Sequence, residues 1–215
     1  MRGLSIDAAG TLLRTAEPVP VTYAAFAARH GVRRSAGELA ARFPAAMAAH
    51  RALRRGDPSW SGFWGAVVED TIGVEVEGLV GALREHYARP ETWRIAEDAG
   101  PTLSALRARG VALAVVSNWD ASLRPLLEDL GAAGWFHALV ISGEVGLEKP
   151  DPAIFVRACE MLGLSPEQLV HVGDSAVDDV AGARAAGCAA LRFGGDVSSF
   201  TELLTSVPWS VGPPR

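Results

Sequence analysis

Ser5-Ile6-Asp7-Ala8-Ala9-Gly10-Thr11-Leu12-Leu13 is the stretch whose reading decides the fold. Residues 3–7 have strand character and run into a small, glycine-containing turn, with a carboxylate where the strand ends. In open α/β sheets the reactive crevice lies just beyond the carboxyl ends of the strands. An Asp placed there, ahead of a turn whose backbone can approach a ligand closely, is a candidate nucleophile or metal ligand. The same Asp would also suit a cap or a turn. Three later segments decide between these readings.

The chain of 215 residues is long enough for one domain plus an insertion, or for two small domains. At 49% hydrophobic and 21% charged it has a globular composition, not a disordered one. The net charge of −5 and the lack of a basic run argue against a nucleic-acid partner. The longest apolar run, residues 111–116, is far too short to span a bilayer. Asp7 interrupts any apolar secretion signal near the start. Cys159 and Cys188 show neither a Cys-x-x-Cys pattern nor a zinc spacing, and read as small core residues. These features predict a soluble cytoplasmic protein. A monomer and a homodimer fit the sequence equally. Against 19 arginines the chain keeps one lysine, Lys149, which suggests a compact charge in a tight site where arginine would not serve.

Between residues 15 and 93 there is no convincing strand. Helical periodicity covers residues 21–30, 36–53, 59–72 and 78–87, with a break expected at Pro44 and a serine N-cap expected at Ser59. From Trp93 the texture alternates. Strands are predicted at 111–116, 138–141, 169–172 and 189–193, and helices at 99–109, 121–130, 152–162 and 177–186, several of them stopped by glycine. This pattern predicts an α/β fold, a Rossmann-like doubly wound parallel sheet with the Asp7 strand central. Residues 1–14 and 94–215 would form this core domain, and residues 15–93 an inserted helical cap domain over its C-terminal edge. The tail from Ser206, with Pro208, Pro213 and Pro214, reads as loosely attached except at Trp209.

Three strand ends in the second half deliver polar residues as the first one does. Ser117-Asn118 offers a hydroxyl and an early helix amide, suited to anionic oxygens. Gly146-Leu147-Glu148-Lys149-Pro150-Asp151-Pro152 places the lysine in a rigid loop. Gly173-Asp174-Ser175-Ala176-Val177-Asp178-Asp179 is an acidic loop entering a helix. Carboxylates, one lysine and a hydroxyl can converge on a divalent cation and a phosphoryl group, and oxygen ligands suit Mg²⁺.

The four segments, in this order, resemble the four motifs of the haloacid dehalogenase (HAD) superfamily, and the insertion resembles that of members with a helical cap. The resemblance implies that Asp7 is the nucleophile and a Mg²⁺ ligand, positioned by Thr11. It implies that Ser117 and the amide of Asn118 hold phosphoryl oxygens and that Lys149 bridges nucleophile and phosphate. The Ala9 backbone carbonyl and Asp174 would complete the metal ligands, Asp179 would orient the metal's water shell, and Asp178 is a further candidate. Trp119 is a candidate pocket-lining aromatic.

One position departs from the pattern. Phosphatases of the family carry Asp-x-Asp-Gly-Thr, the second Asp being the general acid/base, and here that residue is Ala9. General acid–base help is worth roughly 10²–10⁴-fold. The expected function is therefore a phosphatase-type hydrolase acting on a small phosphorylated metabolite through an aspartyl-phosphate, weakened at proton transfer. The alternatives are a catalytically impaired protein that binds Mg²⁺ and a phosphorylated ligand in a regulatory role and, third, a 2-haloacid dehalogenase. Phosphonoacetaldehyde hydrolase resembles the Ala9 turn more closely but needs a cap lysine, and residues 15–93 contain none. Elsewhere, His171 reads as a core histidine, Trp60 and Trp64 as core packing on one helix face, and Arg51, Arg54 and Arg55 as a solvated helix end.

Overall fold

The computed structural model describes residues 1–210; Pro213 and Pro214 of the predicted tail lie outside them. In chain order the elements are β1 (Gly3–Ile6), β2 (Leu13–Thr15), α1 (Val19–Arg29), α2 (Ala36–Ala49), α3 (Ser61–Ile72), α4 (Leu79–Tyr87) and β3 (Trp93–Ile95). They continue with α5 (Ala99–Ala108), β4 (Ala112–Ser117), α6 (Leu123–Asp129), β5 (Ala138–Ile141), α7 (Ser142–Val145) and α8 (Pro152–Leu162). The last are β6 (Leu169–Gly173), a π-helix (Ala176–Ala181), α9 (Gly182–Ala185), β7 (Ala189–Arg192) and α10 (Leu203–Ser206). The chain divides into two compact units, Met1–Arg14 with Ile95–Arg215, and Thr15–Arg94. Among the described residues no helix is long and apolar enough to cross a membrane.

The first unit is a five-stranded sheet in the order β5-β4-β1-β6-β7, parallel throughout, with β1 central. A parallel sheet covered on both faces needs strands that read as continuous apolar runs, and β1, β5 and β6 are buried at every position. Chain order reverses across β1: the strand pairs with β4 on one side and with β6 on the other. This is a doubly wound sheet with its switch point at β1, so the carboxyl ends of β1, β4 and β6 open on one crevice. Ile154, Phe155, Ala158 and Cys159 of α8 pack with Val116, Val140, Leu169, Ala183 and Cys188. Both cysteines are free and buried in that cluster, Sγ to Sγ at 4.0 Å. The end of the described chain is held more firmly than its prolines suggest. Trp209 Nε1 donates to the Leu203 carbonyl, and the Met1 ammonium donates to the Pro208 carbonyl.

The second unit is helical. Tyr23, Leu39, Val68, Ile72, Leu79 and Leu83 form one core, and Ala46, Trp60, Phe63 and Val67 another. A capping box closes the start of α2, with Ser35 and Glu38 satisfying each other's exposed donors. Four local expectations fail here. Helix α2 runs through Pro44 and stops only at His50, where a 3₁₀ turn (Arg51–Arg54) follows. Pro44 is exposed, so the carbonyl that loses its partner can turn to water. Ser59 is not the cap of α3; Asp57 is the residue that fixes the start, accepting from the amides and hydroxyls of both Ser59 and Ser61. Those bonds hold the Asp57 carboxyl well below the usual carboxylate range. Trp60 sits ahead of α3 in the left-handed region (φ 50°) and not within the helix, yet it is fully buried and Trp64 packs against its cluster, so the core-packing reading of the pair holds. Arg54 is not a solvated end: its guanidinium lies 4.6 Å from the Trp60 ring and 4.2 Å from that of Phe63.

Candidate active site

Asp7 extends β1 by one residue, its amide donating to the Val172 carbonyl at 2.9 Å. The following turn closes on itself, Leu13 N–H to the Ala8 carbonyl at 2.8 Å and Gly10 N–H to the Leu13 carbonyl at 2.9 Å. Gly10 has φ 83°, and a Cβ there would stand 2.5 Å from the Asp174 carboxylate. The glycine is thus required twice, by conformation and by the closeness of the acidic loop after β6. Ala9 is exposed on this turn. Thr11 is fully buried, and its hydroxyl has no hydrogen-bond partner among the described residues.

Lys149 is buried to 2% exposure and lies between two carboxylates. Its Nζ donates to Asp7 Oδ1 at 2.7 Å and to Asp179 Oδ1 at 2.6 Å. Burial alone would lower the lysine pKa, but the charges of Asp7 and Asp179 outweigh it and raise it. Asp179 is depressed in turn: burial works against its charge, and the hydrogen bond from His171 and the charge of Lys149 prevail. Oxygens of Asp7, Asp174 and Asp179 all lie within 4.8 Å of one another. Asp174 is pushed up, first by burial and then by the charges of Asp7 and Asp179. Three carboxylates against one lysine leave uncompensated negative charge, which a hard divalent cation with oxygen ligands would offset.

The π-helix aims Asp179 into this site. Its wide turn carries Asp179 back against the end of β6, where the amide of Ser175 donates to Asp179 Oδ2 at 2.9 Å. A Cβ on Gly173 would stand 2.2 Å from the Asp179 carboxyl carbon, so glycine alone leaves room for it. The sequence predicted one α-helix over residues 177–186. The π geometry replaces its first part because Ser175 accepts from the amides of both Asp179 and Val180. Asp178 lies outside the group of three carboxylates.

Ser117 is buried at the last position of β4. Asn118 differs from expectation. Helix α6 begins only at Leu123, so the Asn118 amide is not a helix N-terminal amide, and its side chain is bonded to the Lys149 backbone instead. Trp119 is half-buried, and its backbone amide and carbonyl both bond the Ser142 hydroxyl at 3.0 Å. Three contributors escaped the sequence. Ser142 was unremarkable at the end of a short strand. His171 is the buried, satisfied core histidine expected, but its partners belong to the site: its Nε2 is 3.0 Å from Asp179 Oδ1 and its Nδ1 is 2.9 Å from the Ser5 hydroxyl. Ser5 is its register partner on β1. A polar pair at matched positions of two buried strands is the signal that could have revealed it.

A family model described as haloacid dehalogenase-like hydrolase matches residues 1–187. The chain is 33% identical over 223 residues to haloacid dehalogenase-like hydrolase domain-containing protein 3 of Bos taurus, covering 97% of this chain and 88% of that protein. It is 41% identical over 101 residues to glyceraldehyde 3-phosphate phosphatase of Methanopyrus kandleri, which covers 44% of this chain and 41% of that one. Among solved structures, the HAD phosphatase from Thermococcus onnurineus superposes with a TM-score of 0.67 at 28% identity, covering 94% of this chain and 96% of that one.

Proposed function

The chain belongs to the haloacid dehalogenase-like hydrolase family, and from that premise we propose that it is a Mg²⁺-dependent phosphatase-type enzyme acting on a small phosphorylated metabolite. The observation that carries this reading is the Lys149 ammonium set between Asp7 and Asp179, beside the acidic group completed by Asp174. The likeness to a glyceraldehyde 3-phosphate phosphatase supports a phosphate-ester substrate. A carboxylate at the end of the central strand, held by one buried lysine, is placed to act as a nucleophile.

In the proposed reaction an Asp7 carboxylate oxygen attacks phosphorus and the bond from phosphorus to the leaving alkoxide breaks. Water then hydrolyses the aspartyl-phosphate, restoring Asp7 and releasing inorganic phosphate. Lys149 neutralises charge on the attacking carboxylate and the phosphoryl oxygens. Ser117 and the Asn118 amide are the proposed phosphoryl donors. Asp7, the Ala9 carbonyl and Asp174 are the residues that would hold Mg²⁺, with Asp179 towards its water shell. When bound, the ion supplies positive charge to the phosphoryl group. Ala9 gives the departing alkoxide no proton, so water must supply it and turnover is slow.

Ala9 also favours a second reading, a protein that binds Mg²⁺ and a phosphorylated ligand without turning it over. Release of phosphate from a panel of phosphorylated metabolites, with and without Mg²⁺ and with Asp7→Asn as control, separates the two. Mg²⁺-dependent release lost in the control supports the enzyme; ligand binding without release supports the alternative.

A further inference from the structure

His171 takes no part in the chemistry above, yet both its ring nitrogens are committed. The residue is fully buried on β6, and the ring of Phe155 from α8 packs edge-on against it, centroids 4.9 Å apart. The polar groups facing the ring are the Ser5 hydroxyl at Nδ1 and Asp179 Oδ1 at Nε2, the latter shared with Lys149. An ionised carboxylate can only accept, so Nε2 must carry the hydrogen. Nδ1 meets the Ser5 hydroxyl, and that contact fixes the orientation of the ring.

This arrangement rations the Asp179 carboxylate. Oδ1 accepts from Lys149 and His171, and Oδ2 accepts from the Ser175 amide. A carboxylate offers about four lone-pair sites, so one direction on Oδ2 is left for anything else. Rotation of the carboxylate would break three bonds at once, and a Cβ-free Gly173 behind it supplies the space it needs. Lys149 depends on the same oxygen for its place beside Asp7.

We propose that His171, oriented by Ser5 so that its Nε2–H meets Asp179, is a positioning residue that fixes the Asp179 carboxylate and, through it, Lys149 and the acidic site. Removing its Nε2 donor frees the carboxylate to turn, and both the metal group and the lysine lose their geometry. Groups that orient the surroundings of a metal site commonly alter affinity or activity by about 10–100-fold when removed. The cation arm of the test rests on the proposed Mg²⁺ site; the Nε2 hydrogen does not.

The test uses the full chain in two arms. In the metal-free wild type, long-range ¹H–¹⁵N correlation at pH 7 should show His171 with a protonated Nε2. A His171 ring without a hydrogen on Nε2 overturns the proposal, whether or not the protein is a phosphatase. The second arm compares His171→Gln with His171→Asn. The glutamine amide nitrogen reaches the place of Nε2, whereas that of asparagine reaches only the place of Nδ1. Calorimetric titration with Mg²⁺ should give near wild-type affinity for Gln and about 10–100-fold weaker binding for Asn. A merely space-filling histidine predicts equal effects, and equal or reversed effects overturn the proposal. If the wild type binds no Mg²⁺, the metal reading fails by itself, and the first arm still decides for or against the Nε2 donor.

Discussion

The side-chain amide of Asn118 holds the backbone of Lys149 from both sides, Oδ1 accepting from the Lys149 N–H at 2.8 Å and Nδ2 donating to the Lys149 carbonyl at 2.9 Å. The end of β4 thereby sets the height of the loop that carries the lysine. Each such bond is worth about 1 kcal/mol of stability. The larger consequence is positional, since a displacement near 1 Å at reacting groups can cost about 10²-fold in rate. Asn118→Ala should leave the protein folded, with a melting point only modestly lower, and reduce kcat about 10²-fold. Asn118→Asp keeps the acceptor but turns a carboxylate oxygen against the Lys149 carbonyl, and should be no better. Thermal unfolding together with steady-state phosphate release checks both, and an Asn118→Ala enzyme with unchanged kcat contradicts the clamp.

Lys149 joins the site's acid and alkaline limits. Its raised pKa means that its contribution is present below the ordinary lysine value, about 10.4, and is lost as pH rises through the raised value. Asp179 is depressed, so its contribution is present above the ordinary aspartate value, about 3.9, and is lost as pH falls through the depressed value. Stability of the metal-free protein should therefore fall off on both sides of a broad plateau. Lys149→Met leaves buried carboxylates without their cation, a change that typically costs about 3–5 kcal/mol. In that variant the alkaline loss due to Lys149 should vanish, and acid should narrow the gap to wild type. Urea unfolding across pH reads this directly.

Asp174 behaves oppositely. Its carboxyl is pushed up, so its favourable contribution is present at low pH and is lost as pH rises through the raised value. The ionised form of the group is a net cost in the metal-free protein. Asp174→Asn should raise the stability of the metal-free protein slightly, by less than about 1 kcal/mol given its exposure, and abolish the stabilisation that Mg²⁺ confers. A thermal-shift titration with Mg²⁺ measures both effects, and an Asn variant that is still stabilised by the ion removes Asp174 from the metal site.

Much of this was legible because the signals are local. A strand that ends in Asp7 and turns at Gly10, a lysine kept where every other cation is arginine, and an acidic loop after residue 172 all lie in short windows of sequence. Their meeting at one sheet edge follows from the βαβ alternation, because parallel strands bring their carboxyl ends together. What stayed hidden depends on register or on bonding that periodicity does not encode. Ser5 and His171 sit opposite each other only once β1 and β6 are paired. The π turn differs from an α-helix by where the Ser175 carbonyl is bonded, and residues 176–181 carry no distinct pattern. Pro44 misled because the helix rule assumes that the lost hydrogen bond is missed, and on an exposed face water replaces it. Trp60 was assigned to a helix that begins one residue later, since spacing alone cannot see a left-handed residue.

Ala9 gives the sharpest chemical prediction. It is exposed on the turn that follows Asp7, and its methyl group cannot move a proton. If poor protonation of the leaving group limits turnover, a carboxyl at this place should help most where the leaving alkoxide is most basic. Ala9→Asp should therefore raise hydrolysis of alkyl phosphates by about 10²–10⁴-fold. It should change hydrolysis of a phosphate with an acidic phenolic leaving group far less, because that group departs without a proton. The pH–rate profile should also gain an alkaline limb, as the new carboxyl must be protonated to act. Parallel assays on the two ester types settle the matter, since equal gains, or none, would mean that proton transfer is not what restrains this site.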